Sequence, residues 1–155
     1  MENDRLKQYS ELNMRLEALF ETEHDWLANA ANFCAEVYHT LDRINWCGFY
    51  MLKGTELVLG PFQGKAACVR IQAGRGVCGT AADRRQTIVV ADVHQFPGHI
   101  ACDGESKSEI VIPLIKSDKL IGVLDIDSPE YNRFTDEDRT GLEQLARVYL
   151  AGSYF

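Results

Sequence analysis

Apolar residues recur at helical spacing near both ends of the chain. In the first twenty residues they fall three to four positions apart among charged side chains, which is typical of an amphipathic helix: Leu6, Tyr9, Leu12, Leu16 and Leu19. A second stripe runs from Trp26 to Leu41, with Asp25 available to cap its first turn. A third helix is predicted to begin at Thr135, because its hydroxyl can cap a first turn rich in acidic residues.

Between these helices the pattern changes to short apolar runs separated by glycine, proline and aspartate, which indicates strands and turns. A short helix is expected over 79–85. The predicted strands are residues 44–52, 56–62, 68–72, 87–92, 109–115 and 120–127. Hairpins between consecutive strands favour an α+β sandwich with an antiparallel central sheet. At 155 residues, we expect one domain over the whole of 1–155.

Residues 93–107 lack any periodic pattern and are predicted to form a long loop, and loops of this length inside compact domains are usually functional. Cys102 lies in it between Gly98 and Gly104, where a thiol would be accessible and movable, as a redox nucleophile must be. The alternative is a solvent-facing cysteine of no consequence. Asp103 beside it argues against a resting thiolate, since a nearby carboxylate raises a thiol pKa.

Charge and cysteine usage narrow the function classes. Sixteen basic and twenty-three acidic residues give a net charge of -7, which repels nucleic acid and anionic membranes, so we expect neither as a partner. The first residues form no apolar leader and no apolar run approaches a membrane span, which predicts a cytoplasmic protein. The five cysteines are an odd number without a C-x-x-C pair, which disfavours both a disulfide framework and a structural zinc site.

Two further cysteines are candidates to resolve an oxidised Cys102, because a redox cycle needs a second thiol able to form a disulfide. Cys68 and Cys78 both lie near predicted element ends, and their positions do not decide which one reaches. Cys34 and Cys47 are expected to pack in the core and have no assigned role.

The last predicted strand carries two acids on one face, since alternate residues of a strand point to the same side. Strict alternation places Ile121, Val123, Asp125 and Asp127 together. Adjacent carboxylates repel each other, so such a strand exposes them to water, binds a cation with them, or keeps one of them protonated.

Glu109 begins the partner strand, and its orientation depends on register. A two-residue turn at 117–118 turns Glu109 away from Asp127, whereas a three-residue loop or a bulge places the two opposite each other. Pro113 within that strand is compatible with a bulge or an edge position.

Two other motifs suggest ligands less strongly. Residues 74–79 match G-x-G-x-x-G, but the following helix is too short for a crossover between parallel strands, so a tight glycine loop is favoured over dinucleotide binding. His94 and His99 are candidate metal ligands together with Cys102, Asp103 or Asp125, but their spacing fits no common ligand set. We therefore expect no metal and no cofactor.

Several segments together resemble the free methionine-(R)-sulfoxide reductases built on a GAF domain. The likeness runs from about Trp26 to Tyr149 and is carried by five motifs: Leu59-Gly-Pro-Phe-Gln-Gly-Lys-Ala-Ala-Cys68-Val-Arg-Ile, Gly74-Arg-Gly-Val-Cys78-Gly-Thr-Ala, His99-Ile-Ala-Cys102-Asp, Ser108-Glu109-Ile-Val-Ile-Pro and Ile121-Gly-Val-Leu-Asp125-Ile-Asp127-Ser. The resemblance implies a GAF-like fold, with a mostly antiparallel sheet of about six strands and the N- and C-terminal helices packed on one face.

The same resemblance implies roles for individual residues. Cys102 would attack the sulfoxide sulfur of free methionine sulfoxide and be left as a sulfenic acid, with Cys68 as resolving and Cys78 as secondary resolving cysteine. Thioredoxin would restore the thiols, and the protein would be a homodimer. The remaining implied site residues are Glu109, Asp127 and Asp125, which would line the pocket.

Trp46 and Tyr50 lie four residues apart on one predicted strand and so share a face, where they offer an apolar wall for the S-methyl group. Ordinary core packing is the alternative for each. Two other functions also compete with the reductase: a stand-alone GAF module that senses a small ligand, and a general thiol peroxidase or redox switch.

Overall fold

The computed structural model describes residues 2–100 and 102–155. Within these residues, four helices and six strands are joined by mostly short connections, and a 3-10 turn occupies Val93–Gln95 in the predicted long loop. The elements are α1 (Glu2–Phe20), α2 (Trp26–Thr40), β1 (Trp46–Lys53), β2 (Glu56–Gly64), β3 (Arg70–Gln72), α3 (Gly76–Arg84), β4 (Ile88–Val90), β5 (Ser108–Lys116), β6 (Lys119–Ser128) and α4 (Asp136–Gly152).

The six strands form one sheet in the order β3-β2-β1-β6-β5-β4, and every neighbouring pair is antiparallel. This confirms the predicted α+β architecture. Several bounds differ from prediction by a few residues, and two of them bear on the site: β3 begins at Arg70, which leaves Cys68 in the preceding loop, and α3 begins at Gly76, three residues early. The early start of α3 follows from the glycine loop before it, where Gly74 and Gly76 have φ values of 80° and 61° and so turn the chain tightly.

The sheet separates two cores. Helices α1, α2 and α4 pack on one face over Phe49, Ile112 and Leu124, which confirms the predicted layer of terminal helices. The opposite face carries Tyr50, Val111 and Val123 and is covered by α3 and residues of the 93–107 loop. Because α3 and loops cover this second face in place of long helices, it has room for a pocket.

Capping groups begin the helices where the sequence places them. Asp25 accepts a hydrogen bond from the Ala28 N–H at the start of α2, and Thr135 and Asp138 form a reciprocal capping box at the start of α4. In the predicted stripe of α1, however, Leu6 and Leu19 are 51% and 38% exposed. The buried face of α1 is therefore narrower than its periodicity suggested.

The β5–β6 hairpin has both a two-residue turn and a bulge. Ser117 and Asp118 adopt φ values of 51° and 62° in the turn, and the register then shifts between Leu114 and Ile115. As a result Glu109 pairs with Asp127, which confirms the bulged alternative.

The same bulge corrects the orientation expected for Ile121. Strict alternation placed it with Val123, but Ile121 packs against the helical core while Val123 belongs to the opposite one. The extra residue of a bulge reverses the facing of the strand, so alternation holds only on one side of it.

No helix within residues 2–100 and 102–155 has both the length and the apolar character needed to cross a bilayer.

Candidate active site

A pocket lies on the sheet face opposite the three long helices, between the sheet, the start of α3 and the 93–107 loop. Its cavity volume is about 50 Å³, and the surrounding space of about 560 Å³ includes open solvent. Seven predicted site residues line it: Trp46, Tyr50, Cys78, Cys102, Glu109, Asp125 and Asp127. The eighth, Cys68, is joined to this pocket through its bond to Cys102.

Cys68 and Cys102 form a disulfide across 34 residues of sequence, with 5.7 Å between their Cα atoms. Cys102 is exposed and Cys68 is half-buried. The three remaining cysteines, Cys34, Cys47 and Cys78, are free and buried. Of the two possible partners for Cys102, the structure thus brings Cys68 into bonding distance, and Cys34 and Cys47 pack in the core as expected.

Three carboxyl groups form the floor of the pocket. Glu109 and Asp125 are each only 6% exposed, and Asp127 is half-buried opposite Glu109. Burial, followed by the charge of Asp127, raises the pKa of Asp125 to about 8. Burial and a neighbouring carboxylate likewise raise the pKa values of Glu109 and Asp127 well above the usual range. This cluster therefore holds protons at neutral pH.

Cys78 lies within this cluster. Its Sγ is 4.0 Å from Glu109 Oε2, and burial, followed by the Asp125 charge, raises the thiol pKa well above its ordinary value. The thiol is therefore neutral. Donor atoms of Cys78, Glu109 and Asp125 all lie within 4.8 Å of one another, a set able to share protons or to contact a cation.

Two aromatic rings form one wall of the pocket. Trp46 and Tyr50 stack with their centroids 5.9 Å apart, which confirms that they share a face. Hydrogen bonds orient both rings: the Trp46 indole donates to the Lys65 carbonyl at 3.0 Å, and the Tyr50 hydroxyl donates to the Cys68 carbonyl at 2.9 Å. Tyr50 thus connects the apolar wall to the loop that carries Cys68.

The sequence did not predict that His99 and Arg75 line this pocket. His99, considered there only as a metal ligand, has its Nε2 4.0 Å from Glu109 Oε1, whereas His94 lies on the surface beside Asp92. Arg75 lines the pocket from the N-cap of α3. Its position between two glycines of the G-x-G-x-x-G motif was the available signal, but the motif alone does not tell which way an arginine faces.

Comparisons with known proteins agree with this geometry. The GAF domain family model matches residues 25–149. A free methionine-R-sulfoxide reductase of Escherichia coli is 58% identical over 137 residues, which cover 88% of this chain and 83% of that protein. One from Saccharomyces cerevisiae is 47% identical over 146 residues, with coverages of 89% and 81%.

Solved structures give the same result. A free methionine-R-sulfoxide reductase from Neisseria meningitidis in complex with its substrate superimposes with a TM-score of 0.90 at 43% identity, covering 93% of this chain and 87% of that one. The substrate complex of fRMsr from Staphylococcus aureus gives 0.89 at 53% identity, with coverages of 93% and 94%. From its sequence, its sheet and its pocket, the chain belongs to the free methionine-R-sulfoxide reductases, a family of GAF-domain oxidoreductases.

Proposed function

We propose that this protein reduces free L-methionine-(R)-sulfoxide to methionine, with Cys102 as the nucleophile. The observation that carries the proposal is the disulfide between exposed Cys102 and Cys68 beside a pocket floored by carboxyl groups of raised pKa. In this proposal the disulfide represents the enzyme after one turnover, awaiting a reductant.

The chemistry proceeds in two steps. The Cys102 thiolate attacks the sulfoxide sulfur, methionine leaves, and the sulfoxide oxygen remains on Cys102 as a sulfenic acid. The Cys68 thiol then attacks the sulfenic sulfur and water is released, so that two thiols are oxidised to one disulfide while the sulfoxide is reduced to a sulfide. An external dithiol, which we take to be thioredoxin, reopens the disulfide.

The pocket side chains support the first step. Glu109 and Asp127, protonated because their pKa values are raised, donate to the sulfoxide oxygen as its basicity rises during attack. Asp125 pairs with the ammonium of the amino acid, whose positive charge lowers the raised pKa of this carboxyl group and so favours its ionised form once the substrate is bound. Trp46 and Tyr50 contact the S-methyl group, for which a stacked aromatic wall is suited.

The remaining assignments are extensions of the same proposal. Cys78 acts as a secondary resolving cysteine, since its free thiol lines the same pocket. We also propose that residues 1–155 act as one GAF-type domain, that the protein works as a homodimer, and that it functions in the cytoplasm, where a reductant for its disulfide is present.

The nucleophile is tested by Cys102→Ser. The wild-type protein with a dithiol should consume the free R epimer and leave the S epimer and peptide-bound sulfoxide untouched, and the variant should lose all turnover because serine cannot form the thiolate. Full turnover by Cys102→Ser would disprove the assignment. A ligand sensor would bind without consuming, and a general peroxidase would consume hydrogen peroxide instead.

The resolving step is tested by Cys68→Ser. With thioredoxin as reductant, this variant should release one methionine per protein molecule and then stall or turn over only slowly, because the sulfenic acid lacks its main partner and only the secondary Cys78 remains. Loss of that first release would instead place Cys68 in the attack or in folding.

A further inference from the structure

The Cys68–Cys102 disulfide lies at the surface, and each of its cysteines has an exposed apolar neighbour in the chain. Val69, which follows Cys68 directly, is 61% exposed, and Ile100, two residues before Cys102, is 37% exposed. Cys102 is itself exposed. Single apolar residues on a surface are ordinary, but two of them beside an exposed disulfide offer apolar area to a molecule that reaches the sulfur atoms.

Hydrogen bonds to the backbone hold the Cys68 side of this surface in place. The Tyr50 hydroxyl donates to the Cys68 carbonyl at 2.9 Å, and the Leu59 N–H of β2 donates to the Val69 carbonyl at 2.8 Å. Val69 is therefore exposed on an anchored segment. A surface fixed in this way loses little conformational freedom when a partner binds.

On the other side of the disulfide, Ile100 covers the start of α3. It lies so close to Gly76 that a Cβ there would be 3.2 Å from the Ile100 side chain. A groove of about 350 Å³ adjoins Ile100 and β3, and two arginines line it, Arg70 and Arg75. Arg75 forms no ion pair within residues 2–100 and 102–155. The groove thus adds positive charge to the apolar contacts near the disulfide.

The disulfide determines which kind of partner this surface fits. A disulfide is opened by attack of a thiolate on one of its sulfur atoms, and its full reduction takes two electrons from two thiols. A small thiol needs access to the sulfur alone and gains nothing from fixed apolar residues nearby. A dithiol protein must hold its cysteine against the disulfide, and transient encounters of redox proteins need only a small interface. The surface therefore fits a dithiol protein that surrounds its cysteine with apolar area and a carboxylate.

We propose that Val69, Ile100 and the arginine-lined groove form the docking surface for the dithiol protein that reopens the disulfide. The inference rests on the thiol recycling in the proposed function and adds the place where the reductant binds. The partner thiolate attacks Sγ of the exposed Cys102, the bond to Cys68 breaks, and Cys68 leaves as a thiolate that takes a proton from water. The second partner thiol attacks the mixed disulfide, so the partner is oxidised to a disulfide and Cys102 returns as a thiol.

The experiment follows reduction of the preformed disulfide, with no sulfoxide present, by thioredoxin and separately by dithiothreitol. Val69→Ser is compared with Val89→Ser, which replaces an exposed valine on β4 at the opposite edge of the sheet. Val69→Ser should lower the second-order rate constant with thioredoxin about fivefold, because part of a valine side chain is no longer buried in the encounter. Its rate with dithiothreitol should stay unchanged, and Ile100→Ser should behave in the same way.

Val89→Ser should match wild type with both reductants, and thermal unfolding of each variant detects misfolding. Wild-type rates with thioredoxin for Val69→Ser and Ile100→Ser would overturn the docking surface. Equal losses with thioredoxin and dithiothreitol would overturn it as well, since the effect would then lie in the disulfide itself. A wild-type disulfide that glutathione opens as fast as thioredoxin does would contradict the choice of a protein partner.

The direction of attack has its own readout. A thioredoxin whose second cysteine is replaced by serine cannot complete the exchange and should be trapped as a mixed disulfide on Cys102, which peptide mass spectrometry identifies. Trapping on Cys68 would contradict the proposed attack.

Because no sulfoxide enters these assays, their outcome is separate from the reductase activity. A protein whose disulfide is opened by thioredoxin through Val69, but which never consumes methionine sulfoxide, would refute the reductase proposal while supporting the docking surface. A reductase that is active with dithiothreitol, and whose Val69→Ser variant is recycled normally by thioredoxin, would refute the docking surface alone.

Discussion

Asp125 lies on a sheet face that α3 and the 93–107 loop cover, and only 6% of its surface is accessible. Two other acids and a thiol lie close to it, so removing a proton from any one of them places charge near the rest. Burial and mutual repulsion thereby keep ordinary carboxyl groups protonated at neutral pH. These carboxyl groups can act as acids because of their surroundings, since aspartate and glutamate side chains are normally ionised at neutral pH.

The raised pKa predicts a pH-dependent stability. Asp125 has a pKa of about 8 in the folded protein against an ordinary 3.8, so the folded state keeps a proton that the unfolded chain loses between these values. The free energy of unfolding should therefore fall as pH rises through this window and level off above it. Asp125→Asn removes this contribution, so the variant should gain stability relative to wild type as pH rises.

Urea unfolding of both proteins in the presence of reductant, from pH 4 to pH 9, measures the effect. We expect a relative gain of at least about 1 kcal/mol, the equivalent of one unit of pKa. Glu109 and Asp127 shift in the same direction, so some dependence will persist in the variant. Parallel curves for the two proteins would contradict the assignment of Asp125.

At the scale of elements, one buried carboxylate connects α1 to α4. Asp138 is fully buried and accepts hydrogen bonds from Tyr9 at 2.7 Å, from Arg5 and from Arg133, besides capping α4 with Thr135. Burial alone would raise the pKa of Asp138, but the Thr135 and Tyr9 hydrogen bonds and the arginine charges lower it overall. Asp138 is therefore ionised in the folded protein.

Asp138→Asn should destabilise the protein by about 3 to 5 kcal/mol, the usual cost of leaving a buried charge such as Arg133 without its partner. The control is Asp136→Asn, an exposed acid in the same helical turn, which should cost less than about 1 kcal/mol. Chemical denaturation measures both. Similar losses for the two variants would show that the network contributes little beyond the helix dipole.

The bulge in the β5–β6 hairpin is the second element-scale feature on which the site depends. Gly122 follows the bulged residue, and a Cβ there would overlap the Tyr50 carbonyl oxygen of β1. Gly122→Ala should therefore separate β6 from β1, cost roughly 1 to 3 kcal/mol and lower turnover by disturbing the Glu109–Asp127 pair. Gly104→Ala, where a Cβ meets nothing within 4 Å, is the control for stability. Equal stability of the two variants would mean that the bulge tolerates a side chain.

At the scale of the whole molecule, the sheet separates a structural side from a chemical side. Three long helices bury one face, whereas the other is closed by α3 and a loop whose Cys102 is bonded to Cys68. Backbone hydrogen bonds hold the base of this loop, from Val93 N–H to the Lys107 carbonyl and from Lys107 N–H to the Ser128 carbonyl. Reduction of the disulfide frees the loop at Cys102, whereas the backbone hydrogen bonds still hold its two ends.

Hydrogen exchange should detect this division. Reducing the Cys68–Cys102 disulfide should speed amide exchange in residues 93–107 and leave α1, α4 and β1 unchanged, because local opening depends on the contacts of each segment. Mass spectrometry of peptides from the oxidised and reduced protein makes the comparison, with α4 as the internal control. Unchanged loop exchange would mean that its other contacts suffice, and faster exchange everywhere would mean that the disulfide supports the whole fold.

The sequence by itself determined the helices, the hairpins and the identity of the chemical groups. Helical spacing, the Thr135 cap and the turn at 117–118 act over a few residues, so they are readable without the fold. The motifs around Cys68, Cys102 and the acids also indicated the family, which the comparisons confirmed.

Only the tertiary structure decided which of these groups meet. Cys102 forms a disulfide with Cys68, 34 residues away in the sequence. Glu109 pairs with Asp127 because of a bulge at Ile121, where strict alternation of side chains fails. The pKa values of the acids and the position of Arg75 beside them likewise depend on what covers the sheet. Local sequence sets the conformation of each segment, but distance, burial and charge between segments follow from how the whole chain packs.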